Sequence, residues 1–201
     1  MAPISGRISD KVNPKIPIIL GILLMAFSFY LNSKLSFLTE RKALMASLYV
    51  RAFGMGLTFT AMNTISLLEI SREKMAQASG ISNTIRQLGG SLGVALLATM
   101  LTTRSQYHVE QYGLALNTNS EIYQETAKNI KFYAQHESGS SPANAIRYSQ
   151  SEIMSNINKQ GYIDGINDDF LISAIITLIG GIPIVFMYAK KSKNEKTTVH
   201  E

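Results

Sequence analysis

The stretch that decides the fold is ASGISNTIRQLGGSLGVALLATM, residues 78–100. It becomes steadily more apolar toward its end, yet it holds four glycines and one arginine, Arg86, with Asn83 and Gln87 close by. A long apolar run is typical of a membrane-spanning helix. A permanent charge in such a helix usually faces a bundle interior or a water-filled cavity. The stretch therefore predicts a helix that crosses a membrane and packs against other helices.

Three further runs have similar character. Residues 16–33 and 170–189 hold 18 and 20 residues without a charge, and residues 43–68 hold 26 with Arg51 as their single charge. A helix needs about 20 apolar residues to cross a bilayer. A single apolar segment in lipid must be helical, because only a helix pairs all of its own backbone N–H and C=O groups. We therefore expect an all-α membrane protein with about four transmembrane helices, three within 16–103 and the last at 170–189. A soluble helical protein with very apolar core helices is the alternative, but four such runs are rare in soluble chains.

Composition narrows the functional classes. Only 16% of the residues are charged, against about 25% in soluble domains, and the absence of cysteine excludes disulfides and thiolate metal sites. The net charge is +5, but the basic residues lie at the edges of apolar runs, so we expect no nucleic-acid partner. The sequence shows no nucleophile–base pair, phosphate-binding loop or metal-ligand spacing. We expect no enzyme, no cofactor and no metal.

The basic residues also predict an orientation. Four spans place both termini on one side, where the short segments carry nine Lys and Arg: Arg7, Lys11, Lys15, Arg72, Lys74, Lys190, Lys191, Lys193 and Lys196. The opposite short loop carries three: Lys34, Arg41 and Lys42. Short cytoplasmic loops are enriched in positive charge. We therefore expect a multi-pass protein of the inner or plasma membrane, with both termini of this chain cytoplasmic and residues 190–201 forming a basic tail.

The connection 104–169 is then expected on the outer side of the membrane. It holds five Lys and Arg and eight Asp and Glu, a net charge of −3. Isoleucines at near-helical spacing, interrupted by ESGSSPAN at 137–144, predict a helical hairpin. Two interpretations stay open for this segment: a docking surface for a periplasmic or extracellular partner, and a solvated spacer.

Polar and small residues inside the runs are the candidate functional residues. None of the four runs contains Asp or Glu, so any carboxylates that couple transport to protons are expected elsewhere. Arg51 can reach outward toward Arg41 and Lys42 or face a cavity. For Arg86 a polar cavity wall is favoured over the alternative, an interfacial position near the cytoplasmic end of its helix. Small residues let membrane helices approach closely. The predicted packing positions are Gly54, Gly56, Gly80, Gly89, Gly90 and Gly93.

Two motifs carry a resemblance to a known family. GRISDKVNPK, residues 6–15, resembles the cytoplasmic signature loop of the major facilitator superfamily, through Gly6, Arg7, Asp10, Lys11 and Lys15. QASGISNTIRQLGGSLGVAL, residues 77–96, resembles a motif of the fourteen-span drug:proton antiporters of the EmrB/QacA type, and RAFGMGLTFTAMNTISL resembles their preceding helix. Asn13 stands where the signature loop most often has glycine; asparagine tolerates a left-handed backbone, so the turn can persist.

The resemblance covers the last four helices of that family and implies the last part of a major-facilitator-type helical bundle. It implies a proton-driven multidrug efflux transporter that exports small amphipathic or toxic compounds, incomplete by itself, with the proton gradient as energy source. The substrate-path candidates are Arg86, Asn83, Gln87, Asn63, Met62 and Arg51.

The expected partners are the lipid bilayer, the missing N-terminal transporter half and small-molecule drugs. In a Gram-negative host a periplasmic adaptor and an outer-membrane channel join them. The short chain would then be a fragment, a split-gene product or a truncated pseudogene product. The competing function is a non-transporting membrane scaffold, a modulator subunit that pairs with a larger transporter.

Overall fold

The computed structural model describes residues 15–67, 70–136, 139 and 141–186, and this part of the chain is all-α. The elements are α1 (Lys15–Asn32), α2 (Arg41–Leu67), a 3₁₀ turn (Arg72–Lys74), α3 (Met75–Ala115), α4 (Glu121–His136) and α5 (Pro142–Phe186). The predicted fold class is confirmed. Most of the signature loop, with Gly6, Arg7, Asp10 and Lys11, and the basic tail 190–201 lie outside the described residues, and Lys15 is the first residue of α1.

Four of these helices, α1, α2, α3 and α5, are long and apolar enough to cross a membrane. The predicted number of about four transmembrane helices is confirmed. The 41 residues of α3 and the 45 of α5 correspond to about 60 and 68 Å of helix, whereas the hydrocarbon core is about 30 Å thick. Each of these two helices therefore contains an apolar part and a long polar continuation.

The helix ends differ from the ends of the apolar runs. The apolar runs predicted boundaries at 103/104 and 169/170, but α3 and α5 run through these points without a break. At 103/104 the reason is that Arg104 and Gln106 end the apolar run without ending the helix, since both are good helix formers. Caps mark the N-termini of α4 and α5 instead: Ser120 Oγ accepts from Tyr123 N, and Ser141 Oγ accepts from Asn144 N. Which parts lie inside and outside the membrane stays a prediction.

The chain divides into two compact units, unit 1 (Met1–Leu92 and Phe170–Glu201) and unit 2 (Gly93–Asp169). In unit 1, α1 packs against α2 with their backbones almost in contact. A Cβ atom placed on Gly21 would lie 2.6 Å from the carbonyl oxygen of Gly54 and would overlap Thr58 Oγ1. Only glycine at position 21 permits this approach.

A buried polar group and an apolar cluster complete the core of unit 1. Ser28 Oγ donates to the carbonyl of Ser47 at 2.7 Å, and Ser47 Oγ donates to Asn32 Oδ1 at 2.6 Å. All three residues are buried. Because buried polar groups are costly unless paired, these bonds fix how α2 sits on α1. The buried apolar cluster consists of Ile18, Ile22, Ala61 and Ile184.

Unit 2 is formed by the second part of α3, by α4 and by the first part of α5. Gly161 and Gly165 of α5 lie directly against Val109 and Ser105 of α3. A Cβ atom at position 165 would lie 2.8 Å from the backbone nitrogen of Ser105. These two glycines, four residues apart, therefore form a second close helix contact, which the sequence analysis did not single out.

Candidate functional site

Unit 1 contains a pocket of about 380 Å³ between α1, α2 and α3. Its walls are mostly apolar and flexible, with three methionines, and a few hydroxyls and one guanidinium supply the polar part. The lining residues are Met25, Met55, Thr58, Phe59, Met62, Ser66, Ser82, Ile85 and Arg86. Methionine side chains adapt to irregular shapes, so this pocket suits apolar groups of varied outline.

Arg86 is the single charge in the wall of this pocket. Its Nη2 donates to Asn63 Oδ1 at 2.8 Å, and its guanidinium lies over the ring of Phe59, 4.6 Å from the centroid. The hydrogen bond to the Asn63 side-chain amide and the cation–π contact with Phe59 hold the planar guanidinium in one orientation. A guanidinium carries five N–H donors, and the single bond to Asn63 leaves others for a bound molecule.

Helical spacing explains how α2 and α3 supply the wall. Met55, Phe59, Met62 and Ser66 recur at intervals of three or four residues along α2, so they share one face. Ser82, Ile85 and Arg86 follow the same spacing on α3. Met62, Asn63 and Arg86 were predicted from the sequence, whereas Met55 and Phe59 were not. Both could have been predicted from their helical spacing to Met62, which places them on the same face of α2.

The structure brings together only some of the predicted substrate-path residues. Arg86 and Met62 line the same pocket, and Asn63 bonds to Arg86. Asn83 and Gln87 are exposed on α3 and do not line this pocket.

Arg51 lies about three turns before Met62 on α2, where its guanidinium is 5.6 Å from the centroid of the Phe29 ring. It too is absent from the pocket lining.

The predicted packing glycines fall into two groups. Gly54 is buried against Gly21, and Gly56 is half-buried with its carbonyl accepting from Thr60 Oγ1. The glycines of α3 differ: a Cβ atom added at any of them would meet no described atom within 4 Å. These are Gly80, Gly89, Gly90 and Gly93. The α3 glycine face, as we call these four residues, is open in this chain.

Comparison with known proteins finds similarity to membrane transporters. The model of the Major Facilitator Superfamily matches residues 1–94. The chain is 27% identical to the MFS-type transporter YhcA of Bacillus subtilis, over 100% of this chain and 38% of that protein. It is 30% identical to the multidrug export protein EmrB of Haemophilus influenzae, over 94% of this chain and 35% of that protein.

A third relative, the fatty acid resistance protein FarB of Neisseria gonorrhoeae, is 25% identical over 93% of this chain and 35% of its own length. The chain thus spans little more than a third of the curated relatives it matches. No solved structure matches it significantly. The predicted resemblance to EmrB-type transporters is confirmed.

Proposed function

We propose that this chain is the C-terminal part of a proton-driven multidrug efflux transporter of the major facilitator superfamily, a proposal supported by the family match over residues 1–94, the similarity to EmrB and the four helices long enough to cross a membrane. The observation that carries the proposal is the pocket at Arg86. An apolar wall with one oriented cation suits a small amphipathic compound, whose apolar body contacts Met55 and Phe59 while an acidic group meets Arg86. The printed name of FarB, a fatty acid resistance protein, is in keeping with such a compound.

The pocket gives the proposal its first experiment. Arg86→Gln removes the charge and keeps a polar side chain of similar reach, so the apparent affinity for an amphipathic carboxylate should fall about tenfold, the factor of about 1.4 kcal/mol. Arg86→Lys keeps the charge but loses the planar contact with Phe59, and should fall between the two. The measurement is concentration-dependent efflux of a fluorescent fatty acid from cells that make the complete transporter.

Arg51→Gln is the matched control because Arg51 is also an arginine inside an apolar run but lies outside the pocket lining. Its affinity for the fatty acid should stay within twofold of the unsubstituted protein, roughly the limit for a change away from the site. Equal affinity in Arg86→Gln and the unsubstituted protein would contradict the proposal that the pocket at Arg86 binds the exported compound.

The remaining parts of the transporter are proposed to cover the α3 glycine face. Small residues stabilise membrane helix bundles by allowing another helix to approach closely. Exposed glycines that contact no other helix contribute no such stabilisation. None of the residues of α3 is buried in this chain. We place helices of the missing N-terminal half against this face, and the proton-coupling carboxylates in that half.

An immunoblot of native membranes tests whether such a half exists in the same polypeptide. An antibody to KKSKNEKTTVHE, residues 190–201, should detect a band far larger than the 22.1 kDa of this chain. A band near that mass that copurifies with a larger membrane protein would favour the scaffold subunit instead.

The orientation is part of the same proposal, with both termini of this chain cytoplasmic. Because the chain contains no cysteine, single cysteines introduced at Asn119 and at Ser192 report it directly. A membrane-impermeant maleimide should label Asn119→Cys on intact cells and Ser192→Cys only after permeabilisation. The reverse pattern would invert the orientation. In a Gram-negative host, the outward-facing part would meet a periplasmic adaptor and an outer-membrane channel.

A further inference from the structure

A second polar cluster lies in unit 2, between α3 and α5. Asp168 Oδ2 on α5 is 2.9 Å from Arg104 Nε and 2.9 Å from His108 Nε2, both on α3. One turn later on α3 and one turn earlier on α5, Tyr112 Oη donates to Asp164 Oδ2 at 2.5 Å. Two consecutive turns of α5 are therefore tied to α3 through carboxylates.

The same two helices touch through their backbones. Gly161 and Gly165 leave no side chain between α5 and α3, and Ser105 and Val109 fill that space. The α3–α5 contact is held by close backbone packing and by the polar contacts among Arg104, His108 and Asp168. A change of charge at one of these three side chains therefore changes the attraction between the two helices directly. The cluster follows the uncharged run that ends at residue 103 and precedes the run that begins at residue 170.

We propose that His108, Asp168 and Arg104 form a proton-responsive clamp, in which a proton bound at His108 holds α3 against α5 and its release loosens the pair. Arginine is charged at every physiological pH, so Arg104 supplies the constant part of the attraction to Asp168. Histidine changes its charge between about pH 5 and pH 8, and a charge-assisted hydrogen bond is roughly twice as strong as a neutral one. The clamp is independent of the pocket at Arg86.

The other groups around His108 do not supply the same switch. On α3, the rings of Tyr107 and Tyr112 lie 5.6 and 6.4 Å from the imidazole. Tyr112 lies beyond the apolar run, and its hydrogen bond to Asp164 raises the pKa of its hydroxyl, so Tyr112 stays neutral in this range.

On α5, burial raises the pKa of the Asp169 carboxyl, whose buried Oδ1 has no hydrogen-bond partner in the described part of the chain. Asp169 is therefore the group to separate from His108 by experiment.

Distance measurement between two spin labels tests the clamp on the full chain in lipid nanodiscs. Cysteines at Gln111 and Asn158, both exposed and outside the cluster, are the only labelling sites because the chain has none of its own. Between about pH 5 and pH 8, the population with the short α3–α5 distance should fall roughly threefold, within the range of partly exposed ion pairs.

Three variants decide which group is responsible. His108→Gln should give the loosened distribution at both pH values, and His108→Lys, which is permanently charged here, should give the short distance at both. His136→Gln is the matched control, since His136 lies on α4 and bonds to the carbonyl of Phe132. Asp169→Asn should keep the pH dependence of the unsubstituted chain.

An unsubstituted chain whose distances do not change with pH would overturn the clamp. So would pH dependence that persists in His108→Gln, or that disappears in Asp169→Asn or His136→Gln. Drug efflux does not enter this readout, so its failure and the failure of the efflux proposal are separate results.

Discussion

The α1–α2 interface and the α3 glycine face use the same residue type with opposite outcomes. Gly21 and Gly54 lie against each other so closely that neither position has room for a methyl group. The four glycines of the α3 glycine face meet no described atom within 4 Å. In lipid, where no hydrophobic effect drives helices together, small residues contribute only through close contact. A glycine motif therefore shows where a helix can be approached, and the structure shows whether the approaching helix belongs to this chain.

The largest effect should come from adding a side chain at Gly21, in the α1–α2 interface. Gly21→Val places a branched side chain against the backbone of Gly54 and should lower the free energy of unfolding by about 1–3 kcal/mol, the usual cost of overpacking. Gly89→Val meets open space and should stay within about 0.5 kcal/mol. Unfolding of the chain by sodium dodecyl sulfate in mixed micelles gives both values.

Equal losses for the two valine variants would mean that the comparison between the interfaces is wrong. In the complete transporter the proposed covering helices are present, so Gly89→Val should there reduce efflux although it leaves the isolated chain unchanged. Unchanged efflux would contradict the proposal that another helix covers the α3 glycine face.

A smaller effect is expected from removing a hydrogen bond in the α1–α2 interface. Ser47→Ala removes the donor to Asn32 Oδ1 and should cost about 1 kcal/mol, as interhelical hydrogen bonds in membranes do. Ser91→Ala is the matched control on α3, because among the described residues Ser91 Oγ donates within its own helix, to the carbonyls of Gln87 and Leu88. The same unfolding titration compares them, and a larger loss for Ser91→Ala would contradict the assignment.

The smallest effect should occur where α3 does have a neighbour. Tyr112 is partly exposed, and its bond to Asp164 raises the pKa of its hydroxyl. A raised pKa means that the stabilisation is present below the ordinary value of about 10 and is lost as the pH rises through the value in the folded chain. Tyr112→Phe should therefore lower stability by less than about 1 kcal/mol at neutral pH, and by less still in strong alkali.

Unfolding titrations at neutral and alkaline pH measure this difference. Tyr162→Phe is the control, since Tyr162 is a half-exposed tyrosine on the α5 side of the same helix pair. A Tyr112→Phe deficit that grows with pH would reverse the sign argued from the hydrogen bond.

Much of the fold could be predicted from the sequence. The four apolar runs predicted four membrane-length helices, and the family resemblance carried by residues 77–96 was confirmed. Helix ends were harder to predict, because α3 and α5 continue through the charges at 104 and 169, whereas α4 and α5 begin at the caps formed by Ser120 and Ser141. The candidate site was partly predictable: Arg86 and Met62 were singled out by charge and position, whereas Met25 of α1 joins them only through the packing of α1 on α2.

Sequence by itself determined that the chain is helical and apolar enough to cross a membrane about four times. That property is a sum over neighbouring residues, and no distant contact enters it. Tertiary structure decided which polar and small residues meet: Arg86 with Asn63, 23 positions earlier, and His108 with Asp168, 60 positions later. Such pairs depend on how each helix is rotated and placed against the next, and in lipid those choices follow from close packing and paired polar groups.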